Sequence, residues 1–287
     1  MNRRAVLLAA TLAFVALIPN AHAAASVAVI TDISGKATVQ EGTKATPATV
    51  LAYLPAGAGL ALEPGAQLTI TFFAKPVAFT LAGPARGTVI SDGITISSGK
   101  AAQSRPLATA AVTAAQKFEP EKRERVAVAA VEMRVPRPVF KIITPAGARV
   151  LSTTPELRWV NMAGADYQVT LSEVSGKVVL EQTTRDASFT IAEPLRRGGG
   201  YALRVAAKPA KGETQVAQTT FEVATAKDAQ LFDAAKPKTG AGFTEHVLYA
   251  AQLDGSGYRS EAVRVWQSLA AERPDDETLQ ALAREGR

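Results

Sequence analysis

The chain has no cysteine, two histidines and three methionines among its 287 residues, and each scarcity closes a class of chemistry. Without cysteine there is no disulfide, no thiolate metal site and no thiol nucleophile. His22 falls in an N-terminal leader pattern, so a histidine-based triad would have to use His246. No Asp/Glu group shows ligand spacing either, so neither a metal nor any other cofactor is expected. Asp275-Asp276-Glu277 reads as charge placed to complement a helix N-terminus. Aromatic residues make up only 6% of the chain. They do not interleave with basic residues as a single-stranded nucleic-acid platform would require. The formal net charge of +6 is spread along the sequence, which reads as an ordinary solvated surface.

The first residues are of another kind. Arg3 and Arg4 precede an uncharged run from Ala5 to Ile18, Pro19 breaks it, and Ala21-His22-Ala23 supplies a small-x-small cleavage pattern. The run is shorter than the roughly 20 residues that span a bilayer. Residues 1–23 are therefore expected to be a signal peptide. The mature chain would carry no transmembrane segment and be periplasmic or secreted.

Beyond the leader, three regions differ in period. Val27–Thr31, Lys36–Gln40, Gly59–Leu62, Gln67–Phe73, Val77–Leu81, Gly87–Ile90 and Ile94–Ser97 alternate apolar and polar residues between glycine and proline turns. This predicts a compact all-β domain over 27–100. Residues 101–138, alanine-rich and then charged, read as a linker. Residues 139–225 return to period two. From about Phe243 the period becomes helical: Ala262, Val265, Trp266 and Leu269 share one face, and Asp275 is a candidate N-cap for a last helix. The expected fold is mainly β, with two β domains and a small C-terminal helical hairpin at 243–287.

"VITDISGKATVQ", "LPAGAGLALEPGAQLTITFF", "VAFTLAGPARGTV" and "GITISSGK" resemble, in that order, the FecR domain of periplasmic regulators. Ala74-Lys75-Pro76 departs from the polar Asp-Gly turn usual there. In the second region, Pro155 to Trp159, Ala165 to Val169, and Leu195 through Tyr201 to Val205 resemble a fibronectin type III or immunoglobulin-like sandwich, with Trp and Tyr as core residues. Ala262, Trp266 and Pro274 are similar in spacing to a single tetratricopeptide-type hairpin. One such unit cannot bury its apolar face alone, so it must pack on the sandwich, on another copy or on a partner; for the last case Phe243, Val247, Tyr258 and Trp266 are the candidate partner surface.

Enzymatic motifs are thin. Ser97-Ser98-Gly99-Lys100 reads S-x-x-K and Lys238-Thr239-Gly240 reads K-T-G, as in penicillin-recognising serine enzymes. Ser97, however, ends a strand pattern instead of opening a helix. Gly198-Gly199-Gly200 precedes a strand and so is a turn, not a phosphate cradle. What the resemblances imply is a non-enzymatic envelope protein that recognises or scaffolds a protein or glycan. The alternative they imply is a component of a FecR-type trans-envelope signalling system.

Overall fold

The computed structural model describes residues 25–109, 112–113, 140–145 and 149–284. The expected signal peptide, and most of the expected linker, lie outside them.

In the first β unit every second side chain of the strands turns inward, as period two requires. The strands are β1 (Ser26–Ser34), β2 (Ala37–Glu41), β3 (Lys44–Pro47), β4 (Tyr53–Pro55), β5 (Gly59–Leu62), β6 (Gln67–Phe72), β7 (Val77–Ala82), β8 (Ala85–Ile90), β9 (Gly93–Ser98) and β10 (Gln103–Pro106). They form two five-stranded sheets, ordered β10-β7-β6-β1-β4 and β3-β2-β5-β8-β9. Ile30, Leu54, Leu60, Leu68, Ile70, Phe72 and Val89 fill the space between the sheets. Phe72 and Phe79 meet edge to face, with ring centroids 5.4 Å apart. Strand β10 pairs with β7 from Gln103↔Thr80 to Pro106↔Val77, so the unit runs past the boundary expected at residue 100. Every residue of β10 is exposed, which leaves no alternation to read.

The second unit holds β11 (Ile142–Thr144), β12 (Arg149–Val150), β13 (Glu156–Trp159), β14 (Asp166–Glu173), β15 (Val178–Thr184), β16 (Ser188–Thr190), β17 (Gly200–Lys208) and β18 (Gln215–Val223). A three-stranded sheet, β11-β13-β16, faces a five-stranded one, β12-β18-β17-β14-β15. This is a fibronectin III-like sandwich. Trp159 and Tyr167 are buried against each other at 5.4 Å. The Tyr201 hydroxyl accepts the Arg196 N–H at 2.9 Å, the corner by which a strand of such a sandwich is tied to the loop before it.

The helical region begins earlier than its apolar period suggests. Helix α1 (Ala226–Ala235) follows the last strand almost directly, and α2 (Phe243–Gly255), α3 (Arg259–Glu272) and α4 (Glu277–Arg284) complete it. Thr225 caps α1 by accepting the Asp228 N–H at 3.1 Å. For α4 the cap is Asp276, which accepts the Leu279 N–H at 3.0 Å, one residue beyond the expected Asp275. Among the described residues, no helix is long and apolar enough to cross a membrane.

Candidate functional site

The four side chains expected to form a partner surface come together, but inside the molecule. Val247, Tyr258 and Trp266 are fully buried, and Phe243 is half-buried against the same cluster. The expected surface is thereby corrected. The apolar excess that a lone helical hairpin cannot cover is covered in cis, by both β units. Val50, Leu51, Tyr53 and Ile33 of the first unit, and Ala224 and Leu151 of the second, pack into the helical core. Burying a large apolar side chain is worth roughly 1.5–3 kcal/mol, so each such contact favours docking over exposure.

Polar contacts fix the two seams. At the first, the outer face of the sheet holding β1 and β6 is a row of threonines. The Thr31 hydroxyl lies 3.2 Å from that of Thr71 and 3.4 Å from that of Thr244 on α2. Arg105 grips the Glu245 carboxylate with both terminal nitrogens. Arg273 reaches Asp32 at 3.4 Å while its guanidinium sits 4.6 Å from the centre of the Phe243 ring. Burial pushes the Asp32 carboxyl above its usual range despite this arginine. Burial acts the same way on Glu245, but the hydrogen bonds from Arg105 and the backbone outweigh it, and that carboxyl lies below its usual range.

At the second seam Arg149 Nη2 donates to Asp228 Oδ2 at 2.7 Å and stacks 4.8 Å above the Tyr258 ring. Burial is the main reason the Tyr258 phenol is pushed up to about 12. Glu261 of α3 accepts the Leu151 N–H at 2.7 Å, and burial holds its carboxyl above the usual range. None of these ion pairs was legible in the sequence, since their partners stand 79 to 241 residues apart. The one local signal was Thr225-x-x-Asp228, an N-cap spacing that marks α1.

The surface clefts among the described residues include two of note. One, of about 500 Å³, lies along the first seam between Gly35, Pro47 and Thr49 and the turn carrying Arg273, Asp275 and Asp276. The other, of about 600 Å³, lies within the first β unit. No group of three or more metal-ligating side chains occurs among the described residues. His246 is turned onto its own helix, with Nδ1 2.9 Å from the Gly242 carbonyl. The penicillin-enzyme motifs do not adopt that chemistry's layout. Ser97 lies on β9 and donates to the Arg86 carbonyl at 3.2 Å, while Lys238-Thr239-Gly240 precedes α2 in a turn and not on a strand.

No family model matches the chain, so neither the FecR-type nor the tetratricopeptide-type resemblance gains support there. No curated protein matches it either. Among solved structures, the chain is similar to the FN1-FN3 domains of chicken CNTN1, at 12% identity over 67% of this chain and 56% of that one, with a TM-score of 0.21. It is also similar to a β-1,2-glucanase from Parabacteroides distasonis, at 11% identity over 86% of this chain and 49% of that one, with a TM-score of 0.22. The chain thus spans about half the length of each. With an enzyme among these matches, the expectation that the chain is not an enzyme is corrected and set aside. At that TM-score the match assigns no activity to the chain in its place.

Proposed function

We propose that the chain is a cell-envelope recognition or scaffolding protein, exported by its leader and working in the periplasm or outside the cell, with a FecR-type first unit. The observation that carries this reading is the helical module seated on both β units. Apolar side chains from each unit enter its core, and ion pairs tie it to each, Arg105–Glu245 on one side and Arg149–Asp228 on the other. Such a wedge holds two β platforms in one fixed relation, as display of two binding faces requires. The fibronectin III-like sandwich supports the reading as a fold used for recognition.

Two measurements test it together. Protein taken from an envelope fraction should begin after Ala23, and crosslinking in intact cells should trap a protein or glycan on the chain. An intact Met1 in the membrane pellet would overturn the address. A chain that crosslinks to nothing in its native envelope would overturn recognition.

A further inference from the structure

The larger cleft belongs to the outer face of the sheet ordered β3-β2-β5-β8-β9. Register places Thr38, Ala61, Arg86 and Ser98 in one row across four strands. Gln40, Gly59, Thr88 and Thr95 form the next row. A bulge at Ser97 is what turns Ser98 outward beside Arg86. The smallest side chains, Gly59 and Ala61, both lie on the central β5, so the face dips there into a valley, with the Thr38 and Ser98 hydroxyls on its sides and Ala37, Leu62, Pro64, Pro84 and Ala85 completing the cleft.

Lys36 stands at one end of this valley and Arg86 at its side, both exposed. Neither makes a side-chain ion pair or hydrogen bond within the described residues. Glu63 is the single carboxylate lining the cleft.

The rim is rigid because backbone packs on backbone. A Cβ on Gly83 would lie 2.0 Å from the Glu63 carbonyl oxygen, and one on Gly99 would lie 2.7 Å from that of Pro84. The Glu63 N–H donates to the Lys36 carbonyl at 3.0 Å and the Gly83 N–H to that of Ala66 at 2.8 Å. A volume of this size suits a small molecule, and a preformed rim lowers the cost of binding one.

We infer that this valley is a binding site for an acidic saccharide. Arg86 and Lys36 hold the carboxylate, and Thr38 and Ser98 exchange hydrogen bonds with ring hydroxyls. Arginine offers a planar fork matched to a carboxylate, and lysine adds a point charge. An extended peptide fits less well. The cleft lies over β2, β5 and β8, each paired on both sides, so it offers no free backbone edge to pair with. The inference deepens the recognition reading above and rests on it.

The test is calorimetric titration of the purified full chain with trigalacturonic acid, neutral galactotriose, hexaglutamate peptide and inorganic phosphate. Trigalacturonic acid should bind, and more weakly as salt is raised. Arg86→Gln and Lys36→Gln should each weaken it roughly tenfold, the loss of one charge-assisted hydrogen bond. Ala61→Leu, which fills the valley without altering charge, should abolish binding. All three side chains lie on the outer face of the sheet or at its end, and an unchanged melting curve checks that each variant folds. Equal binding of galactotriose would remove the role of the cations. Equal binding of hexaglutamate or phosphate would make the site a general anion patch, and no binding of trigalacturonic acid would remove the site. Each of these results overturns the inference. A protein crosslinked in cells beside a negative titration would leave the recognition reading standing without it.

Discussion

Leu51 is the one non-glycine among the described residues with positive φ, at 64°, and it sits where the first β unit enters the helical core. Its N–H donates to the Ile30 carbonyl at 2.8 Å, and Ile30 in turn donates to Ala52 at 2.9 Å. These bonds hold the loop in the left-handed region at a cost of roughly 1–2 kcal/mol for an L-residue. Leu51→Ala keeps that cost and loses part of a half-buried side chain, about 1 kcal/mol. Leu51→Gly loses the same burial but relieves the backbone, at an unfolded-state entropy penalty of about 0.4–1 kcal/mol. The glycine variant should therefore be more stable than the alanine variant, by up to about 1.6 kcal/mol on these figures. Urea unfolding followed by tryptophan fluorescence gives the comparison, as a higher midpoint for glycine at unchanged slope. An alanine variant more stable than the glycine variant would refute the left-handed loop.

Three further outcomes are expected. Trp266→Ala should cost roughly 3–5 kcal/mol, read by urea unfolding, because the indole is fully buried at the centre of the helical core; a surface role would leave stability unchanged. Burial raises the folded pKa of Glu261 above its unfolded value, so its stabilising contribution is present in acid and is lost as pH rises through the folded pKa. Glu261→Gln, which still accepts from Leu151, should therefore gain on the wild type between pH 4 and pH 7, and an equal difference at both pH values would contradict the buried carboxyl. Tyr201→Phe should cost about 0.5–1.5 kcal/mol by removing the hydrogen bond to the Arg196 N–H, measured by thermal unfolding of both proteins.

The strands that face a core were legible in the sequence, because burial on one side imposes the alternation. Gly59–Leu62 has the expected bounds and Gln67–Phe72 nearly so. Strand β4 escaped because three residues carry no period, and β3 and β10 escaped because their side chains are largely or wholly exposed. Helix α1 buries only Phe232, too little to show a stripe. The seams were illegible for a different reason. Thr31, Thr69 and Thr71 are buried yet read as the solvent face of an ordinary half-buried strand. Sequence pattern reports polarity, and here polarity does not track exposure. The cations of the valley, Lys36 and Arg86, were visible only as two charges 50 positions apart in number until the strand register put them in one cleft.

That threonine face has a consequence for how the chain is made. Strand β6 leaves the ribosome long before α2, which carries Thr244 and finally covers it. At the usual 5–20 residues per second, the face waits on the order of ten to thirty seconds for its lid. A valine-lined face left open that long would be a template for misassembly with neighbouring chains. Hydroxyls can satisfy themselves with water during the delay and with one another afterwards, as Thr31, Thr71 and Thr244 do in the finished molecule. The composition of the seam thus suits the order of synthesis as well as the final packing.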